Sequence, residues 1–105
     1  MSALCAPGVV DAVVNMDTYL HAPLNGTVFD AAMQYYVDAG CAPEAGKLAV
    51  GLLAAEAANA SEAAAVMSRV EAWQAREVDF WVNMWQNAAA LDAWAPALRA
   101  FLALP

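Results

Sequence analysis

The pattern of apolar positions predicts helices along the first part of the chain. Four apolar residues stand at i, i+4, i+7 and i+11, the spacing of one helix face: Val9, Val13, Met16 and Leu20. We therefore predict a first helix over 8–20. A second helix is expected over 27–39, because Thr27 can cap its start and Gly40 can supply the left-handed residue that ends it.

The alanine-rich middle of the chain predicts two further helices. A third starts at Pro43, since proline is tolerated in a first helical turn, and reaches about residue 58. A fourth has Asn59 and Glu62 as its start signal and runs over about 59–91, which makes it the one long helix. A short C-terminal helix follows over 96–104. No useful stretch alternates apolar and polar positions, so no strand is predicted.

Length and composition agree with this helical interpretation. The 105 residues fit the usual prior of about 100–200 residues per domain, so residues 1–105 are taken as a single helical domain. Hydrophobic residues make up 63% of the chain, and 28 of them are alanine, the strongest helix former. The predicted fold class is all-α: a compact bundle of four main helices plus a short C-terminal one.

The charge balance excludes two classes of partner. The chain has 11 acidic and 4 basic side chains, a formal net charge of −7. Binding to nucleic acid or to an anionic membrane surface needs clustered Lys and Arg, so neither partner is expected. No uninterrupted apolar run reaches the length of a membrane span, and the first residues lack the features of a signal peptide. We therefore predict a cytoplasmic protein.

Glu77 is the strongest candidate for chemistry in the predicted long helix. A step of about 100° per residue places it in the middle of an apolar sector formed by Val66, Val70, Trp73, Phe80, Trp81, Met84 and Leu91. A carboxylate buried there without a partner suits proton transfer near neutral pH or the binding of a cationic ligand. The structural alternatives are a hydrogen bond to a tyrosine or indole in the core, and a position at a wet edge.

Asp17 and His21 form a weaker candidate pair. A spacing of four residues places them on one side of the first helix, where they could act as an acid–base pair or supply two metal ligands. The alternative is that His21 interacts with the dipole at the helix end. The chain has one histidine and lacks the Glu-x-x-His spacing of di-iron bundles, so no metal site and no cofactor are predicted.

Five aromatic residues are candidates for binding an apolar or aromatic small molecule: Trp73, Phe80, Trp81, Tyr35 and Tyr36. They could equally fill the core that small alanine side chains leave open. A third possibility is a protein interface, where Trp, Tyr and Met are enriched. With so few charged side chains, self-association is expected, most simply as a homodimer.

Cys5 and Cys41 each stand just before a predicted helix, which leaves three alternatives. They could form a disulfide, remain independent buried side chains, or include a reactive thiol. Without a visible secretion signal, a reduced cytosolic pair is favoured.

The predicted function is that of a small acidic helical protein-interaction module, acting as an inhibitor, adaptor or accessory subunit. The alternative is a helical-bundle pocket protein that binds or transforms an apolar or aromatic small molecule, with Glu77 as its buried carboxylate. Catalysis is the less favoured outcome, and it would use Glu77, or Asp17 with His21, as general acid and base.

Overall fold

The structure is a computed structural model that describes residues 4–6, 8–15, 26–54, 57–81 and 88–103. Strands and helices alternate along these residues. In chain order they are β1 (Val13–Asn15), α1 (Gly26–Asp38), a 3-10 turn (Pro43–Ala45), β2 (Leu48–Leu53), α2 (Ala60–Ala72), β3 (Val78–Trp81) and α3 (Ala88–Leu102). The fold is therefore α/β.

The three strands form one parallel sheet in the order β1-β2-β3. Val14 of β1 pairs with Ala49 of β2. On the other side of β2, Gly51 pairs with Asp79 and Leu53 pairs with Trp81. Because all strands run the same way, their carboxyl ends meet at one edge of the sheet.

The prediction of an all-α helical bundle is wrong, and β2 shows the physical reason. The predicted third helix over 43–58 gives way to a short 3-10 turn and a six-residue strand. Every residue from Leu48 to Leu52 is buried, so the central strand has an uninterrupted apolar sequence without alternation. Periodicity alone cannot distinguish such a run from a buried helix segment.

The predictions of the first helix and of the long fourth helix are also wrong in the described part of the chain. Residues 13–15 form β1, and 16–20 lie outside the described residues. The long helix predicted over 59–91 ends at Ala72 and is followed by β3. It ends because Gln74 adopts a left-handed backbone with φ 60, which interrupts the helical ladder.

Several helix signals are confirmed. The second predicted helix corresponds to α1, and Gly40 behind it has φ 90. Asn59 caps α2 by accepting a hydrogen bond from the backbone of Glu62 at 2.9 Å. The Glu62 carboxylate accepts in turn from the Ala58 backbone at 2.9 Å, so the two side chains satisfy donors at the start of the helix. The C-terminal helix begins earlier than predicted, and Pro96 lies inside it.

The core lies on one face of the sheet. One buried cluster contains Leu48, Val50 and Leu52 of β2 together with residues of all three helices: Phe29 and Met33, then Ala63, Val66, Met67 and Val70, and finally Trp94 and Phe101. All three helices therefore pack against the same sheet face. Asn15 of β1 is also buried on this face, and its amide donates to the Ala32 carbonyl of α1 at 3.0 Å.

The two cysteines form a disulfide, which corrects the prediction of a reduced pair. Cys5 and Cys41 are bonded across a separation of 36 residues, and both are buried. The bond ties the segment before β1 to the connection between α1 and β2. It therefore constrains the chain at two points that flank the first β/α unit.

The described helices are too short or too polar to cross a lipid bilayer.

Candidate functional site

The candidate site is the sheet face opposite the helices, here called the second face. Val78 and Phe80 of β3 pack against the core, and side chains alternate along a strand, so Asp79 and Trp81 belong to the second face. The same alternation and the strand register identify the other residues of the second face. Its residues are Val14, Ala49, Gly51, Leu53, Asp79 and Trp81. None of the apolar members belongs to the core cluster.

The second face combines apolar side chains with one carboxylate. Trp81 is 51% exposed, and Leu53, its partner in the register, is only partly buried. Asp79 stands opposite Gly51, which has no side chain that could cover the carboxylate. The face therefore offers a half-exposed indole, a leucine and an acidic group within two neighbouring strands.

The basic residues of the chain lie away from this carboxylate. Arg69 is in α2 and Arg99 in α3. Arg76 precedes β3 and donates through Nε to the Glu44 carbonyl. Lys47 comes four positions before Gly51 on β2, about 13 Å along a strand at roughly 3.3 Å per residue. In the part of the chain that the structure describes, no Lys or Arg side chain is therefore placed beside Asp79.

Glu77 lies at a different place from the one the sequence predicted. It immediately precedes β3 and is exposed, and its backbone carbonyl accepts from the Val50 amide at 3.1 Å. The predicted burial among Trp and Phe depended on a helix running through this position, and that helix ends at Ala72. The general acid–base role of Glu77 is not supported by any neighbour in the described residues.

The five aromatic residues predicted to line a ligand pocket are not brought together. Phe80 lies on the core face, where its ring meets Trp94 edge-on at 5.0 Å between centroids. Trp81 lies on the second face. Trp73 caps the end of α2, and its indole donates to the Asp30 carboxylate at 2.8 Å.

The two tyrosines form a separate pair on α1. Their rings meet edge-on with centroids 5.3 Å apart, and Tyr35 is 70% exposed while Tyr36 is partly buried. Because they belong to a helix that packs on the core face, they lie apart from Trp81.

Asp17 and His21 lie outside the described residues, so their predicted catalytic roles stay predictions. In the sequence, Asp17 comes two positions after the last residue of β1. Within the described part of the chain no group of three or more His, Cys, Asp or Glu side chains could hold a metal ion.

Asp79 is the residue that sequence reasoning missed. A helix over 59–91 would direct Asp79 away from the apolar sector around Glu77. The signal that could have found it is local: Asp79 stands between Val78 and Phe80, the apolar–polar–apolar alternation of a strand. Three residues are too few for this pattern to outweigh the helical period of the surrounding sequence.

A groove, separate from the second face, lies at the edge of the sheet where the strands begin. The groove has a volume of about 370 Å³ and is lined by Glu44, Glu71, Gln74, Ala75, Arg76, Phe101 and Leu102. It is open and mixed in polarity, and Arg76 in it is already bound to the Glu44 carbonyl. Sites in open parallel sheets lie at the carboxyl ends of the strands, so this position does not favour a ligand site.

No protein-family model, no curated protein and no solved structure matches the chain.

Proposed function

We propose that the chain is a protein-interaction module that binds a partner protein through the second face of its sheet. The observation that carries this proposal is the half-exposed Trp81 beside Leu53 and Asp79 on a face that contributes nothing to the core cluster. Inhibitor, adaptor and accessory subunit are the roles that such a module can fill.

The physical support comes from the behaviour of parallel sheets. All-parallel sheets occur almost only where both faces are covered. Here the three described helices all cover the core face. On the second face Ala49 and Gly51 of the central strand are already buried, whereas Leu53 is partly buried and Trp81 is exposed. A partner that packs on the second face would bury the indole and the leucine, and Trp is among the residues that dominate binding energy at interfaces.

The acidic balance of the chain supports a basic partner. With a formal net charge of −7, long-range attraction accelerates encounters with positively charged surfaces. A homodimer remains the alternative that the sequence predicted, and the proposed experiment distinguishes it from a different partner. The small-molecule alternative has lost its supporting arrangement, because Glu77 is exposed and the five aromatic residues are dispersed.

We further propose that the chain works in an oxidising compartment instead of the predicted cytoplasm. The support is the buried Cys5–Cys41 disulfide. Disulfides persist in oxidising environments and are rare where glutathione and thioredoxin keep thiols reduced. Mass spectrometry of the chain from its native source, alkylated before reduction, tests this: two alkylated thiols would contradict it.

The function is tested by capturing partners with matched baits. Three tagged baits each capture proteins from an extract of the native source: the unmodified chain, Trp81→Ser and Tyr35→Ser. The bound proteins are quantified by mass spectrometry. Both variants remove one exposed aromatic side chain, but only Trp81 lies on the second face. We expect a specific partner to be retained by the Tyr35→Ser bait and to be depleted about tenfold or more by Trp81→Ser, as for a hot-spot residue.

The outcomes separate the alternatives. Capture of a second, untagged copy of this chain that depends on Trp81 would identify the homodimer. Retention of every partner by the Trp81→Ser bait, at the level seen with the unmodified chain, would contradict a binding role for the second face.

A further inference from the structure

We propose that the partner adds an extended strand to the outer edge of β3 and places a lysine or arginine beside Asp79. This inference rests on the proposed function, because it names the way in which a partner engages the second face. It is carried by the backbone geometry of β3, by the side chains on both sides of that strand, and by the placement of the basic residues.

The backbone of β3 has one side that faces away from the sheet. Val50 donates its amide to the Glu77 carbonyl, and Val50 pairs with Val78 in the register. In a parallel ladder alternate residues of a strand bond the same neighbour, so Glu77, Asp79 and Trp81 direct their backbone groups toward β2. Val78 and Phe80 therefore direct their N–H and C=O groups outward.

In the described residues, the outer edge of β3 is protected against strand addition only by the shortness of the strand and by the charge of Asp79. Edge strands are typically blunted by Pro, Lys or a bulge, or are covered by another element. The sequence of β3 is Val-Asp-Phe-Trp, without Pro, Gly or Lys, and β3 is the last strand of the sheet in the described residues. Two β-forming side chains, Val78 and Phe80, flank the outward backbone groups.

The side chains of β3 define what an added strand would present. Neighbouring side chains across a strand pair lie about 4.5–5.5 Å apart on the same face. Positions beside Val78 and Phe80 would join the margin of the core, since both residues are partly buried against it, and so would be apolar. The position between them would lie on the second face beside Asp79, where a cation forms a charge-assisted hydrogen bond.

The partner strand comes from a different chain and not from a second copy. A second copy offers its own edge strands, β1 with the sequence Val-Val-Asn and β3 with Val-Asp-Phe-Trp. Neither contains Lys or Arg. Pairing of two β3 strands would instead bring two Asp79 carboxylates to one face. The acidic edge therefore selects a basic, apolar strand that neither edge strand of a second copy provides.

A short synthetic peptide tests the inference directly. The probe is the end-blocked pentapeptide Ser-Val-Lys-Val-Ser, labelled with a fluorophore; its sequence is the same in both directions, so either strand orientation can bind. Its affinity for the full chain is measured by fluorescence anisotropy. Amide shifts in an isotope-labelled sample locate the contact. We expect saturable binding, with the largest shifts in Val78, Asp79 and Phe80.

Three matched comparisons report on charge and backbone separately. Replacing the peptide lysine by glutamate removes the ion pair. N-methylation of the backbone nitrogens from the first valine to the last serine removes the donors that either strand orientation would use, with the side chains retained. We expect each change to weaken binding by at least about tenfold, which is about 1.4 kcal/mol. On the protein, Asp79→Asn should reduce the lysine-over-glutamate preference to about threefold or less. Asp92→Asn in α3, an exposed position with the same charge change, should retain the preference.

The inference is overturned if the lysine and glutamate peptides bind equally, if the N-methylated peptide binds as well as its parent, or if no peptide binds. These results are distinguishable from failure of the proposed function. Suppose that capture of a partner depends on Trp81 but the peptides bind without preference. The binding role of the second face would then stand, and strand addition at β3 would be excluded.

Discussion

The indole Nε1 of Trp94 donates a hydrogen bond to the carbonyl oxygen of Ala54 at 2.8 Å. The donor lies in α3 and the acceptor directly follows β2, so this bond ties the last helix to the central strand. Trp94 is fully buried and its ring meets Phe80 of β3 edge-on. One side chain therefore connects three elements of the fold.

We expect Trp94→Phe to destabilise the chain, because the Ala54 carbonyl loses its indole donor in a buried environment. An unsatisfied buried acceptor costs about 1–3 kcal/mol in the free energy of unfolding. Urea denaturation followed by circular dichroism measures the change. Trp81→Phe is the matched control at a half-exposed position, and it should stay within about 0.5 kcal/mol of the parent chain. Equal effects of the two substitutions would contradict the burial assigned to Trp94.

The Cys5–Cys41 disulfide predicts a redox-dependent stability. Closing a loop of 36 residues removes conformational entropy from the unfolded chain, an effect of about 3–4 kcal/mol in the loop-entropy model. We expect the double substitution Cys5→Ala and Cys41→Ala to lower the free energy of unfolding by roughly this amount. Reduction of the parent chain should have a similar effect, whereas reductant should leave the double variant unchanged. A parent chain whose denaturation midpoint is the same with and without reductant would contradict a stabilising bond.

Replacing Gln74 by glycine is expected to stabilise the fold. The φ of 60 at Gln74 is left-handed, a conformation that costs an L-residue with a Cβ about 1–2 kcal/mol. We expect Gln74→Gly to raise the free energy of unfolding by up to about 1 kcal/mol, since glycine also has greater entropy in the unfolded chain. Gln34→Gly, in the interior of α1, is the control and should lower it by about 1 kcal/mol. A loss of stability in both variants would show that the Gln74 side chain outweighs its backbone strain.

The cap of α2 gives a prediction at a helix start. Asn59 accepts from the Glu62 amide, and Asn59→Ala removes that acceptor. We expect a loss of about 1 kcal/mol in the free energy of unfolding. Ser61→Ala, in the first turn of the same exposed helix start, should change it by less than about 0.5 kcal/mol. If both variants unfold at the same denaturant concentration as the parent chain, the cap contributes nothing.

The parts of the fold that could be predicted from sequence depend on local chemistry. Asn59 and Glu62 indicated the start of α2 because a capping box is specified by two residues three positions apart. Gly40 indicated the end of α1 for a similar reason, because a left-handed residue favours glycine. Such signals do not depend on what the element packs against.

The strands could not be predicted because their sequences are set by burial in the sheet. β2 is buried on both sides and has no period, while the surrounding alanines favour helix. β3 has only four residues, and Trp73, Phe80 and Trp81 happen to fall on one side of a helical wheel. The wrong prediction at β3 also led to the wrong candidate carboxylate. A helix places Glu77 in the apolar sector, whereas a strand places Asp79 on the opposite face from Val78 and Phe80.

The most direct test of binding through the second face measures the solvent accessibility of Trp81 in the complex by footprinting. The captured complex and the free chain are oxidised by hydroxyl radicals, and modification of Trp81 and Tyr35 is quantified by mass spectrometry. Both side chains are exposed in the free chain, at 51% and 70%. We predict that Trp81 is strongly protected in the complex while Tyr35 is modified as in the free chain. Equal modification of Trp81 in the free chain and in the complex would contradict a binding role for the second face.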